Sequence, residues 1–301
     1  MHVNRVLSQR SVVALTASAV ITSFLTTACS SGGSSEEAPS SSQGAPAAPG
    51  TPSGEPGGRP SQVTLPPVHA GFDYQLGGPS TPAPGVTVVA RDHTAPPAQG
   101  IYNICYINGF QAQPGAEKEW DADLLLRDKA DAVVMDKEWG EAVLDVHTDA
   151  KRKRIAQKVN TWIDECAAKG YRAVDPDNYD SYTRVPGGLL TADDAKALLS
   201  LLAARAHEKG LAIGQKNTPE LAPVRKEVGV DFAVVEECGQ YNECGDYTAA
   251  FGDNVIVIEY TDSGMKTACR GWGDKVSIVR RDKNLVPAGN AGHLRRTCGT
   301  S

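Results

Sequence analysis

The chain has 301 residues, 36 acidic against 30 basic, for a formal charge of −6, and 41% of it is hydrophobic. An acidic chain is a poor match for the phosphate backbone of nucleic acid and a better one for a neutral or cationic ligand. The only long apolar run lies at the N-terminus and falls short of the ~20 residues a membrane span needs.

That N-terminus reads as an address. Arg5 and Arg10 form a basic region, Ser11 to Leu25 an apolar one, and Leu25-Thr26-Thr27-Ala28 precedes Cys29. The pattern predicts a secretory signal over residues 1–28, and a Cys after a small residue resembles a bacterial lipobox, which makes Cys29 a lipidation site. Removing the signal takes two arginines and no acid, so the charge moves from −6 to −8. Ser30 to about Ala70 is Ser, Gly, Pro and Ala with few large apolar residues. Such a stretch cannot bury enough surface to offset its conformational entropy, which predicts a disordered tether over 29–70. The expected location is the extracellular face of a membrane, with the lipid as the only membrane contact, or the medium if the signal is simply cleaved near Ala28. Residues 71–301, about 230 of them, match one α/β barrel in size.

Eight apolar, β-branched runs follow: Val86–Arg91, Tyr102–Ile107, Ala142–Val146, Arg172–Asp175, Leu211–Gln215, Phe232–Glu236, Val255–Glu259 and Val276–Arg280. Between several of them the period changes from two to 3.6. In 150–169, Ile155, Val159, Trp162, Ile163 and Cys166 share a face and Gly170 is the stop. Thr191 can cap the next helix with Asp193 and Asp194 in its first turn, Ala195, Leu198, Leu199, Leu202, Ala203 and Ala206 facing inward, and Gly210 at the end. The connections after Val86–Arg91 and Val255–Glu259 read as less helical. Short strands alternating with helices predict a parallel sheet, and eight units favour a closed (β/α)8 TIM-type barrel in a single domain. No G-x-G-x-x-G follows the first run, so a dinucleotide is not expected.

Seven cysteines leave six after Cys29, an even number that in an exported chain suggests disulfides. Cys238 and Cys244 are near neighbours and should close a loop. Cys269 with Cys298 and Cys105 with Cys166 would complete the set, although six cysteines allow 15 pairings. No C-x-x-C or histidine ligand pattern points to zinc, and the acidic stretch from Asp175 to Asp180 lacks the glycine and distal glutamate of a calcium loop. No metal or cofactor is expected.

In a barrel of this kind the polar residues just past each strand gather at one mouth. Here they include Asp92, Tyr106, Asp145, Asp175, Asp177, Asn178, Lys216, Asn217, Glu236, Glu237 and Tyr260. Apolar runs that end in acids, twice over, suggest paired carboxylates. The fourth and sixth strands, one strand apart, have backbones ~10 Å apart, since neighbours lie ~4.8 Å apart. Inward side chains from them can approach to ~5 Å, the separation used in retaining glycoside hydrolysis. Asp175 and Asp177 have the same parity; Glu236 and Glu237 cannot both face inward on a regular strand. A non-catalytic polysaccharide-binding barrel at the cell surface is the alternative, needing the rim but no close acid pair.

Four blocks carry a family resemblance: Phe72 to Gly78; Tyr102 to Asn108; Val174 to Tyr182 followed by Gly214-Gln215-Lys216-Asn217; and Asp231 to Cys238 with Cys244. In order and spacing the chain resembles glycoside hydrolase family 114, the endo-α-1,4-polygalactosaminidase-like proteins, from about Phe72 to Cys298. The resemblance implies a retaining, endo-acting enzyme on a (β/α)8 barrel that cleaves α-1,4-linked galactosamine polysaccharide. Carried over, Asp177 is the nucleophile and Glu236 the general acid/base. Asp175, Asn178, Lys216, Asn217, Glu237, Tyr260, Asp145, Tyr106 and Asp92 are the expected substrate-binding residues. The sequence departs from the family pattern at Asp175, where a Glu is expected, and at Val235, where an Asn is expected. The chain is expected to act as a monomer on a polysaccharide.

Overall fold

A computed structural model describes residues 63–299. The signal segment, Cys29 and the tether through residue 62 lie outside the described residues.

Eight parallel strands form the body: β1 (Phe72–Gln75), β2 (Val88–Asp92), β3 (Tyr102–Asn108), then, after a second small sheet, β7 (Ala173–Asp177), β8 (Ala212–Lys216), β9 (Phe232–Glu236), β10 (Val255–Glu259) and β11 (Ser277–Arg281). β12 (Arg295–Thr297) adds antiparallel to β11. The small sheet is made of β4 (Gln111–Ala112), β5 (Met135–Asp136) and β6 (Glu141–Val143), all antiparallel, in the connection between β3 and the first long helix.

Two sequence expectations change here. Ala142–Val146 is not a barrel strand; its apolar residues are buried, but as β6 of the inserted sheet. Burial explains the composition without saying which sheet is joined. The missing barrel strand is β1, whose Phe-Asp-Tyr-Gln alternates rather than running apolar. Phe72 and Tyr74 point into the barrel, while Asp73 and Gln75 find buried polar partners in Arg281 and Arg91. Arg281 also donates to the Tyr74 carbonyl, and Arg295 to that of Phe72, so side chains knit the seam between β11 and β1.

The helices follow their sequence signals. α1 (Asp149–Lys169) starts at Thr148, whose hydroxyl accepts from the Lys151 N–H, and stops at left-handed Gly170. After the single turn α2 (Ser181–Arg184), α3 (Ala192–Glu208) opens with a reciprocal capping box between Thr191 and Asp194. α4 (Arg225–Val228) follows β8, and α5 (Cys238–Tyr241) and α6 (Cys244–Phe251) follow β9. The connection after β10 proves helical, as α7 (Asp262–Trp272), whereas that after β2 is not.

The core has two layers. Inside the barrel, Phe72, Val88, Ala90, Ile104, Phe232, Val234, Ile256, Ile258 and Val279 meet. Gly214 makes room there: a Cβ on it would lie 3.1 Å from the Phe232 ring. Between barrel and helices, Val174, Ile213, Val235 and Val257 pack on Ile155, Leu198 and Leu202. Three disulfides, Cys105–Cys166, Cys238–Cys244 and Cys269–Cys298, tie β3 to α1, close the loop after β9 and pin the C-terminal stretch to α7.

Val63 to Ala70, assigned by sequence to the tether, lies on the N-terminal face of the barrel. The Arg172 guanidinium and the Tyr102 hydroxyl donate to Thr64, and the Ala70 N–H donates to Ser277 Oγ. Val63 packs on the interior cluster from below. The other end, where the strands finish, remains for chemistry.

Candidate active site

The period of two decides which side chains reach the mouth. The interior residues Ala173, Ala212, Val234 and Ile258 share parity with Asp175, Asp177, Lys216, Glu236 and Tyr260 further along their strands. β7 pairs with β8 only through Ala173–Ala212 and Val174–Ile213. Pro176 has no N–H to offer, so the ladder ends where these side chains begin.

Lys216 is the hub. Its ammonium lies 3.0 Å from Asp175 Oδ2 and 3.6 Å from Asp177 Oδ1, and it donates to the Tyr74 hydroxyl at 2.8 Å. It also sits 5.3 Å from the ring centres of Tyr74 and Tyr106, within cation–π range. Burial alone would lower its pKa, but the fields of Asp175, Asp177 and Glu236 win and hold it well above the ordinary lysine value. It is therefore a fixed positive charge.

The carboxylates differ. The Asp177 carboxylate accepts from the Tyr106 hydroxyl at 2.8 Å and from the Asn178 N–H at 2.7 Å, with Lys216 beyond. Its side chain keeps 22% of its surface. An acid met by donors and still open to a ligand is equipped to attack. Burial pushes the Glu236 carboxyl up; Lys216 opposes this, Asp177 adds to it, and the Tyr260 hydroxyl, donating at 2.7 Å, opposes it. A carboxyl whose hold on its proton is strengthened by burial suits the role of an acid. Asp175 is fully buried and also pushed up by burial, with Lys216 opposing. Its Oδ1 has no hydrogen-bond partner among the described residues.

The chain leaves three successive strands through left-handed residues: Asn178 (φ 65°), Asn217 (φ 48°) and Glu237 (φ 61°). Asparagine accepts that conformation readily, and glutamate less so. The Asn217 side chain accepts from the Glu236 N–H, tying the end of β8 to that of β9. Glu237 is the residue that leads into α5, and its charge acts on Glu259 of β10. Val235 points outward into the helix layer, so an amide at that position would not lie beside the Glu236 carboxyl.

The structure thus brings together Tyr106, Asp175, Asp177, Asn178, Lys216, Asn217, Glu236 and Tyr260. Asp92 has inward parity, but its Oδ1 is taken up by the N–H and hydroxyl of Thr94. Asp145 does not join them: it lies before α1, paired with Lys151 at 2.5 Å, because the run that ends in it belongs to the inserted sheet. Glu259 has outward parity and is buried against α5, where it accepts from the Gly239 N–H at 2.6 Å.

Sequence reasoning missed Tyr74, hidden in an unrecognised strand, and Glu141. The latter arrives on β6, and its Oε2 accepts from Asn108 Nδ2 at 2.9 Å and Asn178 Nδ2 at 3.1 Å. Burial pushes its carboxyl up to about 7, opposed by the Asn108 bond, with Asp177 and Asp136 adding and the Asn178 bond opposing. Arg184 backs this arrangement. It donates to Asn178 Oδ1 at 2.6 Å and pairs with Asp136 and Asp180, which turns the Asn178 amide nitrogen toward Glu141.

The site is thus a set of carboxyls on alternate strands around a buried cation at the C-terminal mouth of a (β/α)8 barrel, an arrangement equipped for acid–base chemistry. Residues 54–301 match the profile of glycoside-hydrolase family GH114, and the chain belongs to that family. It is a glycoside hydrolase. A search of curated proteins finds no match. Among solved structures, Ega3 of Aspergillus fumigatus in complex with galactosamine is 22% identical with a TM-score of 0.64, covering 80% of this chain and 100% of that one. The glycoside hydrolase domain of PelA from Pseudomonas aeruginosa is 17% identical with a TM-score of 0.47, covering 75% and 96%. The first likeness is to the same fold. Three disulfides fit an extracellular protein.

Proposed function

We propose that this protein is an exported glycosidase that cleaves α-1,4-linked galactosamine polysaccharide within the chain and with retention, and that a lipid on Cys29 tethers it to the membrane. The observation that carries the reading is the placement of Asp177 and Glu236 at the ends of β7 and β9, with the Lys216 ammonium from β8 among them. In the first step Glu236 gives its proton to the glycosidic oxygen as Asp177 attacks the anomeric carbon, releasing one fragment and leaving a glycosyl ester. In the second, the Glu236 carboxylate takes a proton from water, the water oxygen bonds to the anomeric carbon, and Asp177 leaves. The Lys216 ammonium lies 3.6 Å from Asp177 Oδ1, where it attracts the carboxylate, and Tyr106 orients that group. The galactosamine held by Ega3 supports an amino-sugar substrate.

The test is incubation of the protein with partly de-N-acetylated α-1,4-galactosamine polymer, with products followed by mass spectrometry and by NMR of the newly formed anomeric centre. Internal cleavage with the α-anomer formed first is expected, and Asp177→Asn should release nothing. Release of the β-anomer first would replace retention by inversion, and binding without cleavage by the unaltered protein would overturn the reading.

A further inference from the structure

The inserted hairpin carries a feature that the two-carboxylate chemistry does not use. Around the mouth, six carboxyl groups (Asp136, Glu141, Asp175, Asp177, Asp180 and Glu236) meet two cations. Lys216 is spent on Asp175 and Asp177, and Arg184 on Asp136 and Asp180. Among the described residues Glu141 is left with none. Its two hydrogen bonds both come from neutral amides and both fall on Oε2. Among the described residues Oε1 has no hydrogen-bond partner, and it is not sealed from solvent. A half-buried carboxylate next to other acids, with one oxygen open, is a place for a cation.

The hairpin that presents it is rigid. Buried Asp136 accepts from the Glu138 N–H, Gln111 Nε2 and Arg184 Nε, and the Gly140 N–H closes the turn on the Asp136 carbonyl. In that turn, two residues before Glu141, the Trp139 indole is 57% exposed, the most exposed large hydrophobic side chain described. A flat apolar ring held out to water on a fixed turn suits the C–H face of a pyranose.

We propose that the β5–β6 hairpin forms a subsite for an amino sugar, in which Glu141 Oε1 takes the ammonium group of a galactosamine unit beside the bond to be cut and Trp139 stacks on its ring. The hairpin would thus select free-amine stretches of the polymer, a selection made by a residue outside the catalytic pair. This rests on the galactosamine reading above and deepens it.

The test compares unaltered protein with Glu141→Gln, Glu141→Asp and Trp139→Ala on fully de-N-acetylated and fully N-acetylated α-1,4-galactosamine oligomers. Hydrolysis is followed by steady-state kinetics, and binding by calorimetry in a Glu236→Gln background that does not turn over. Gln keeps an oxygen to accept from Asn108 and Asn178, so this variant removes charge and leaves the hairpin's support in place. The expected result is a KM on the free-amine oligomer raised about tenfold, the scale of ~1.4 kcal/mol, with kcat and the N-acetylated oligomer within about twofold. Glu141→Asp should recover part of the loss, and added salt should erode the preference of the unaltered protein but not that of Glu141→Gln. Trp139→Ala should weaken both oligomers. An unchanged preference in Glu141→Gln, or an equal loss on both oligomers, overturns the subsite. If the unaltered protein cleaves neither oligomer, the galactosaminidase reading fails, and calorimetry still decides the subsite: a free-amine preference that depends on Glu141 supports it, and equal or absent binding overturns it.

Discussion

The Lys216 ammonium and the Asp175 carboxylate form an ion pair 3.0 Å apart inside the barrel, with 1% and 0% of their side-chain surfaces exposed. Breaking such a pair strands a charge away from water, which costs roughly 3–5 kcal/mol. Lys216→Met should therefore lower the melting temperature markedly, leave Asp175 to fold protonated, and remove the positive charge beside Asp177. The expected kinetic mark is a fall in kcat larger than any change in KM, since the charge removed lies beside the proposed nucleophile Asp177. Asp175→Asn should cost less stability than Asp175→Ala, because the amide oxygen still accepts from Lys216. Thermal melts of the three variants beside their kinetics check this.

Tyr260 tunes Glu236, the proposed proton donor. Its hydroxyl bonds Glu236 Oε1 at 2.7 Å and holds down a pKa that burial raises. The acid must be protonated to act, so activity falls as pH rises through the pKa of Glu236. Tyr260→Phe removes the restraint, and the alkaline limb of kcat/KM should move to higher pH. A limb that stays in place would assign it to another group.

Glu259 links stability to pH by the opposite face of the barrel wall. It is fully buried, and its carboxyl is pushed up to about 7 by burial, against hydrogen bonds from Gly239 and Gln240 and with Glu237 adding. A carboxyl with a raised folded-state pKa binds its proton more tightly folded than unfolded. Its contribution is therefore full below the unfolded value, roughly 4.3, and lost as pH climbs toward 7. Glu259→Gln should flatten the dependence of unfolding free energy on pH across that window, measured by urea titrations at several pH values. Gly264 leaves the space for this side chain: a Cβ there would lie 2.0 Å from Glu259 Oε2, so Gly264→Ala should be strongly destabilising.

The Cys105–Cys166 bridge closes a loop of 61 residues between β3 and α1, and that loop contains the whole inserted sheet. Chain-entropy arithmetic puts its contribution at about 4 kcal/mol. Replacing both cysteines by alanine should lower the melting temperature by about 8–16 °C in a domain of this size. Because the bridge lies on the outer side of β3, activity below the transition should be retained.

Much of this was legible in the sequence, and particular residues show why. A period of two puts Asp175 and Asp177 on one side of β7, and the same period carries Lys216 and Glu236 inward on β8 and β9. Thr191 and Gly170 mark helix ends because local backbone groups need that side chain or that freedom. These are short-range effects, and neighbouring residues suffice to set them. β1 was missed because Phe72-Asp73-Tyr74-Gln75 buries polar side chains whose partners, Arg91 and Arg281, lie far along the chain. Ala142–Val146 was misplaced because an apolar run states that it will be buried and not against what.

The sequence by itself determined the barrel class, the parity of its strands and the place of Asp175, Asp177 and Glu236 at its mouth. Only the tertiary structure decided which other acids join them and which acids are neutralised. Asp145 finds Lys151 and Asp175 finds Lys216, while Glu141, brought in on a hairpin 36 residues before Asp177, feels the charge of Asp177 and has no cation of its own among the described residues. Charge balance depends on distance in space, and that is fixed only when the inserted sheet packs against the mouth.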